Sequence, residues 1–205
     1  MAKLTENAFR DVNIAFANEL GLISDNLGIN VWELIELANH HPRVNILQPG
    51  PGVGGHCIAV DPWFIVAADR ENSHLIRTAR EVNDGKPQWV VDKTKHAVQG
   101  LEHPTVAVLG LSFKADIDDL RMSPALNIAA DLAGSLPDID VLAVEPNISA
   151  LPAQLGALEN VRLAELKEIE STDVVLLLVD HKEFKQLPAT ALKGKTIIDT
   201  KGIWR

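Results

Sequence analysis

The chain has 205 residues, enough for one large domain or two small ones, and its 46% apolar and 23% charged content is that of an ordinary globular protein. A formal charge of −9 without any basic cluster argues against nucleic acid as a partner, though local lysines and backbone N–H groups leave a phosphate-bearing ligand open. No apolar run reaches the roughly 18–20 residues of a membrane span, "MAKLTENAFRDV" lacks the layout of a signal peptide, and one cysteine cannot form an internal disulfide, so a cytoplasmic location is expected.

Residues 3–27 read as one long helix. Phe9, Val12, Phe16, Leu20, Ile23 and Leu27 recur at spacings of three and four, which lays them on a single apolar face. Gly28 stands where a glycine ends a helix. "INVWELIELAN" predicts a second helix. The stretch "QPGPGVGGHCIAVDPW", residues 48–63, then surrounds the only cysteine with glycine and proline, a composition that lets backbone approach a ligand closely. "DPWFIVAAD" predicts a third helix, with Asp61 as N-cap and Pro62 in the first turn. "SHLIRTAREVND" and "PQWVVDKTKHAV" continue helically, with a break or kink at Gly85–Pro87.

After residue 99 the pattern changes. "TVAVLGLSF", "DVLAVEP", "VVLLLVD" and "TIIDTKG" are short, near-continuous apolar runs of the kind found in parallel strands buried on both faces. Helical stretches lie between them, "SPALNIAADLAG" and "LAELKEI" the clearest, so right-handed βαβ units and a doubly wound parallel sheet are expected. The expected fold is therefore α followed by α/β, with a helical domain over 1–99 and an α/β domain over 100–205. Ligands of such sheets sit beyond the carboxyl ends of the strands. Lys114, His181 and Lys201 each fall just past a predicted strand and are candidates for that rim, although lysines in loops are often merely solvated. The first strand leads into "GLSFKADIDDLR" rather than G-x-G-x-x-G, so the α/β half lacks the dinucleotide fingerprint.

Several residues are candidates for chemistry. Cys57 precedes a predicted helix N-terminus and follows a donor-rich loop, which favours a thiolate nucleophile, although a free cysteine is also a common inert core residue. His56 is a possible base, but adjacent side chains often point apart. Asp61 serves equally as a helix cap or as a carboxylate that activates water. Lys3, Asn7 and Arg10 share one helix face, either a solvated polar surface or a set of donors aimed at a charged intermediate. In "NHHPRVN", Arg43 is either an anion clamp or an ordinary surface arginine. His40, His41 and Cys57 lack the regular spacing of a zinc site, and no metal is expected.

Taken together, "KLTEN", "GVGGHCIAVD", "LGLSFKADIDDLR" and "IIDTKG" resemble the nucleotide-sugar dehydrogenases that oxidise a UDP-sugar to its uronic acid. The resemblance runs along nearly the whole chain. It implies a central helical dimerisation domain followed by a Rossmann-like UDP-binding domain, and the absence of the N-terminal NAD-binding domain, so that the chain reads as a truncated gene product or an excised pair of domains. It also implies a UDP-sugar substrate, NAD as cofactor with its main site in the absent domain, a homodimer, and two successive oxidations through a cysteine thiohemiacetal and thioester. By this resemblance Cys57 is the nucleophile, Lys3 and Asn7 stabilise the oxyanion and orient water, and Asp61 assists. Arg10, His41, Arg43 and Gly54 contact the sugar or its phosphates, and one such arginine reaches a neighbouring subunit. Phe113, Lys114 and Lys201 are substrate contacts, and Arg121 contacts NAD. Val60 stands where UDP-glucose enzymes carry lysine, which points to the branch acting on UDP-N-acetylmannosamine; Lys201 stands where relatives often have arginine. The isolated chain is expected to be inactive. Two other readings are a non-catalytic UDP-sugar-binding and dimerisation module, and a thiol hydrolase built on Cys57 and His56.

Overall fold

The computed structural model describes residues 1–204 and divides into two compact units, Met1–Lys86 and Pro87–Arg205. The first is helical: α1 (Ala2–Leu27), α2 (Val31–Ala38), α3 (Asp61–Ala68) and the first half of α4 (His74–Val98). Gly28 closes α1 in the left-handed conformation, φ 66°, and the next N–H reaches back to the Ser24 carbonyl at 2.9 Å. Asn30 caps α2 by accepting from the N–H groups of Trp32 and Glu33. Asp61 departs from the N-cap position expected of it. Val60 occupies that position, and Asp61 is the first residue inside α3, with its side chain committed elsewhere.

The face that α1 buries is not the apolar one. Asn7, Ala8, Asp11, Ala15, Ala17, Asn18, Gly21 and Ser24 are buried, whereas Phe9, Phe16, Ile23 and Leu27 are 69, 54, 46 and 65% exposed. Small residues let α3 approach α1 closely; Asn7 is bonded to α3, and Asp11 Oδ1 and Asn18 have partners on α4 and in the glycine stretch, while Asp11 Oδ2 and Ser24 Oγ are buried without a hydrogen-bond partner among the described residues. Periodicity reveals an apolar face but not what covers it.

Helix α4 runs without a break through Gly85–Pro87, where a break or kink was expected. Its turns before Pro87 bury Arg80, Asn83 and Lys86; those after it bury Val90, Val91 and Val98. Packing on both sides thus offsets a mid-helix proline's cost of about 3 kcal/mol. Because Val90, Val91 and Val98 belong to the core of the second unit, the units divide inside α4 and not at its end near residue 100.

The second unit is a five-stranded, all-parallel sheet in the order β3-β2-β1-β4-β5, with β1 Thr105–Leu109, β2 Asp140–Val144, β3 Val161–Leu163, β4 Val174–Leu177 and β5 Thr196–Asp199. Val106 and Val108 face one core layer with α5 (Pro124–Ser135); Ala107 and Leu109 face the other with Phe184. Both faces are covered, hence the unbroken apolar runs. β3 is a three-residue edge strand containing Arg162, too short and too polar to show in the pattern. "LAELKEI" is not an α-helix: it leaves β3 and enters a 3₁₀ turn, Leu166–Ser171. Short helices α6 (Ala153–Gly156) and α7 (Lys182–Lys185) complete the crossovers. The chain reverses its direction of winding between β1 and β4, which makes the carboxyl ends of these strands the switch point of the sheet.

Candidate functional site

Each unit carries one cluster of the predicted residues. In the helical unit, the start of α1 meets the start of α3. Asn7 Nδ2 donates to Asp61 Oδ2 at 2.6 Å, and Lys3 Nζ stands 3.9 Å from the same oxygen. Asn7 and Asp61 are buried, whereas the Lys3 side chain is 73% exposed and its ammonium can reach outward. Cys57 is exposed and lies one turn before Asp61, whose N–H donates to the Cys57 carbonyl at 2.8 Å. The Val60 N–H shares that carbonyl. The thiol-bearing turn is therefore bonded to the first residue of α3, and the carboxylate of that residue is held by α1.

Arg10 does not follow Asn7 inward; it is exposed one turn further along α1. His41 and Arg43 lie on an exposed loop closed by Asn39, which pairs in both directions with the backbone of Ile46, and His41 Nδ1 accepts the Arg43 N–H at 3.2 Å. Gly54 is half-buried in the glycine stretch, and Gly50 in that stretch donates its N–H to buried Asn18 Oδ1 at 2.9 Å. Asn18 in turn donates to Asn83, which donates to Asp11, the partner of Arg80. Burial pushes the Asp11 carboxyl above its ordinary value, and Arg80 offsets this only in part.

In the α/β unit the predicted residues gather on the loop after β1. Gly110 enters it at φ 89°, and a Cβ there would lie 2.4 Å from Val179 Cβ, so only glycine fits. Phe113 is half-buried, Lys114 is exposed, and the Lys114 ammonium lies 5.4 Å from the Phe113 ring centre. Arg121 is exposed and forks onto the Asp119 carboxylate, with two N–H···O bonds of 2.9 Å. Lys201 Nζ lies 3.6 Å from Asp180, which Lys185 also contacts at 2.7 Å. Burial would raise the Asp180 carboxyl, but the two lysines hold it below the ordinary range.

His181 is not on the rim. It is fully buried, and with Glu145 it forms a centre that sequence reasoning did not find. Glu145 Oε2 accepts the N–H groups of Leu111 and Ser112 at 2.8 and 3.0 Å and pairs with His181 Nε2 at 3.0 Å; Oε1 accepts from Asn147. His181 Nδ1 accepts the Asp116 N–H at 2.9 Å, so Nε2 carries the hydrogen that goes to Glu145. Burial works to raise the Glu145 carboxyl, yet the bonds from His181 and the backbone hold it below its ordinary value. The available signal was an acidic residue closing a buried strand in "DVLAVEP" and a histidine just after "VVLLLVD".

The first unit matches the model of the UDP-glucose/GDP-mannose dehydrogenase family's central domain over residues 1–85, and the second matches the UDP-binding domain of that family over 107–205. The chain belongs to this family. It is 58% identical over 205 residues to an NDP-N-acetyl-D-galactosaminuronic acid dehydrogenase of Ralstonia nicotianae, covering all of this chain and 48% of that protein. It is also 58% identical over 214 residues to a UDP-N-acetyl-D-mannosamine dehydrogenase of Salmonella typhi, covering all of this chain and 50% of the relative. Among solved structures, the UDP-N-acetyl-mannosamine dehydrogenase of S. aureus superposes with a TM-score of 0.81 at 48% identity, over 99% of this chain and 47% of that one. The UDP-D-ManNAc dehydrogenase of Pyrococcus horikoshii superposes with a TM-score of 0.82 at 36% identity, over 100% and 48%. The chain thus spans about half the length of the curated relatives it matches. As a member of this family it carries an α/β unit that does not fit a dinucleotide at its switch point. The glycine fingerprint is missing, and Glu145 already takes the two loop N–H groups that would meet a phosphate.

Proposed function

We propose that the chain supplies the catalytic-cysteine and UDP-binding parts of an NAD-dependent UDP-N-acetyl-D-mannosamine 6-dehydrogenase, which makes the uronate. The observation that carries this reading is the Lys3–Asn7–Asp61 cluster bonded to the turn that bears Cys57. Two relatives of equal identity are named for different sugars, so the supported substrate class is a UDP-N-acetylhexosamine, with the mannosamine form favoured by the family branch.

NAD⁺ would supply the hydride acceptor for both oxidations, and this chain's residues hold the carbon between them. The Cys57 thiolate adds to the C6 aldehyde and gives a thiohemiacetal, whose oxyanion Lys3 and Asn7 stabilise by charge and hydrogen bonding. Once that carbon reaches the thioester level, water adds, assisted by the Asp61 carboxylate, and the acid leaves with return of the thiol. Cysteine suits both needs: it retains a reactive aldehyde, and its thioester is readily cleaved. Arg10, His41, Arg43 and Gly54 face the sugar and its phosphates in this reading, Phe113, Lys114 and Lys201 the uridine diphosphate, and Arg121 the cofactor. The exposed apolar face of α1 supports a homodimer through the helical unit.

The test is a calorimetric titration of UDP into the purified chain. Saturable one-to-one binding that weakens in Lys114→Ala supports the reading; no binding sinks its nucleotide half. With UDP-N-acetylmannosamine and NAD⁺ the pure chain is expected to form no NADH, because its described residues build no dinucleotide cradle. Turnover would overturn that division of labour.

A further inference from the structure

We propose that Glu145 and His181 are positioning residues for nucleotide binding, holding the loop after β1 in the form that presents Phe113 and Lys114. The proposal rests on the nucleotide reading above and adds two residues to it.

In a doubly wound sheet the first loop normally turns its N–H groups toward a ligand phosphate at the switch point. Here a side chain of the protein takes that place. The Leu111 and Ser112 N–H groups converge on Glu145 Oε2, and the Glu145 and His181 side chains have no solvent exposure. The cradle is filled from within, so a nucleotide must meet the outer side of the same loop, where Phe113 and Lys114 stand.

His181 joins three elements. It follows β4, its Nε2–H goes to Glu145 after β2, and its Nδ1 takes the Asp116 N–H on the β1 loop. Phe184 packs edge-on against the ring, 5.3 Å between centres and 77° between planes. Asp116, held at φ 62°, also accepts the Lys182 N–H through its carboxylate at 3.0 Å. Between these ties, Ser112 Oγ donates to the Lys114 carbonyl at 2.6 Å, Ser123 Oγ donates to the Ser112 carbonyl at 3.1 Å, and the Phe113 N–H goes to the Asp119 carbonyl at 2.8 Å.

The backbone on both sides of Phe113 and Lys114 is therefore fixed, while the Lys114 side chain extends into solvent. That division is what a preorganised binding loop requires, since ordering is completed before the ligand arrives. An apolar pair would have closed the sheet end at lower desolvation cost, because a buried carboxylate is tolerated only when fully hydrogen-bonded. The polar pair adds a defined loop path.

UDP is titrated by calorimetry into the chain and its variants, and amide exchange of the nucleotide-free proteins is followed by NMR. Glu145→Gln and His181→Leu are expected to weaken UDP binding by about tenfold or more, the scale of leaving a buried group unpaired. Exchange should quicken at Leu111, Ser112 and Asp116 while β1 and β4 stay protected. His181→Asn keeps an acceptor for the Asp116 N–H and should return to within about threefold of the parent, a rescue that loss of packing alone would not show. Ser112→Ala, a milder change, frees the Lys114 carbonyl and removes the 3.3 Å contact of Ser112 Oγ with His181 Nε2, and should weaken binding in the same direction. Parent-like affinity in Glu145→Gln and His181→Leu overturns the proposal, as does lost affinity with the loop amides still protected. Strand protection lost along with affinity, with Ser112→Ala binding normally, overturns it too. Failure of the parent chain to bind UDP sinks the nucleotide reading instead, and loop exchange then still decides whether the pair holds the loop.

Discussion

Asn7 and Gly110 show how much a single position can be asked to do. Among the described residues, Asn7 is the only side chain that donates a close hydrogen bond to the buried Asp61 carboxylate, with Lys3 further off and exposed. Asn7→Ala should cost about 1–3 kcal/mol in urea denaturation of the helical unit, the range for a buried acceptor deprived of its partner. Gly110→Ala would place a methyl group against Val179 at positive φ, and should destabilise the α/β unit by at least about 1–3 kcal/mol, read from the same denaturation curves. Two carboxylates make opposite contributions in acid. Glu145 has a folded value below its ordinary 4.5, so its stabilisation is complete above that value and is lost as pH falls through the folded one. Asp11 has a folded value above its ordinary 3.8, so its ionised form costs stability above the folded value, and protonation relieves this cost as pH falls toward 3.8. Glu145→Gln should therefore flatten the acid limb of the stability curve of the α/β unit, measured by denaturation between about pH 3 and 6; an unchanged limb would mean that Glu145 is not held low. The catalytic candidates were legible in the sequence because Cys57 and Asp61 share one short stretch and Lys3 and Asn7 one helix turn. Glu145 was not, and His181 was named only as a rim residue, because their roles arise from three strand ends that meet only in the folded sheet.

At the scale of elements, α1 is the instructive case. Its large apolar side chains face outward and its small and polar ones inward, so as an isolated element it looks inverted. The inversion has a physical reading: the inner face must admit α3, the glycine stretch and α4 at close range, and a face this apolar on the outside is stable when another surface covers it. Replacing Phe9 and Phe16 together by glutamate should convert a dimer to a monomer in sedimentation velocity at tens of micromolar protein, if the homodimer reading is right. A parent chain already monomeric at that concentration would sink it. Helix α4 makes the complementary point. Its Gly85–Pro87 stretch was read as a break or kink, and burial on both sides carries the helix through without a break. Pro87→Ala restores a backbone donor and should raise the thermal midpoint; a lower midpoint would show that the proline's geometry is needed there.

For the whole molecule, a protein of charge −9 is proposed to hold a doubly phosphorylated ligand, so recognition has to be local. In the proposed reading Lys114 and Lys201 of the α/β unit carry that burden, and Lys201 is already engaged by Asp180. Attraction of this kind is screened by salt. UDP affinity should fall several-fold between about 0.05 and 0.5 M salt as the Debye length shrinks from roughly 14 to 4 Å. An affinity indifferent to salt would point to stacking and hydrogen bonds rather than charge.

The sequence by itself determined the order of a helical and an α/β unit, four of the five strands, and the glycine-rich stretch around Cys57 for which the chemistry is proposed, because period, β-branching and glycine density are local properties of the chain. Tertiary structure decided which face of α1 is buried, that α4 continues through Pro87 into the core of the second unit, that Asp61 turns toward Asn7 instead of capping its helix, and that Glu145 and His181 fill the sheet's phosphate cradle from within. Each of these depends on which distant group arrives to satisfy a hydrogen bond or cover an apolar surface, and that is set by packing between segments far apart along the chain.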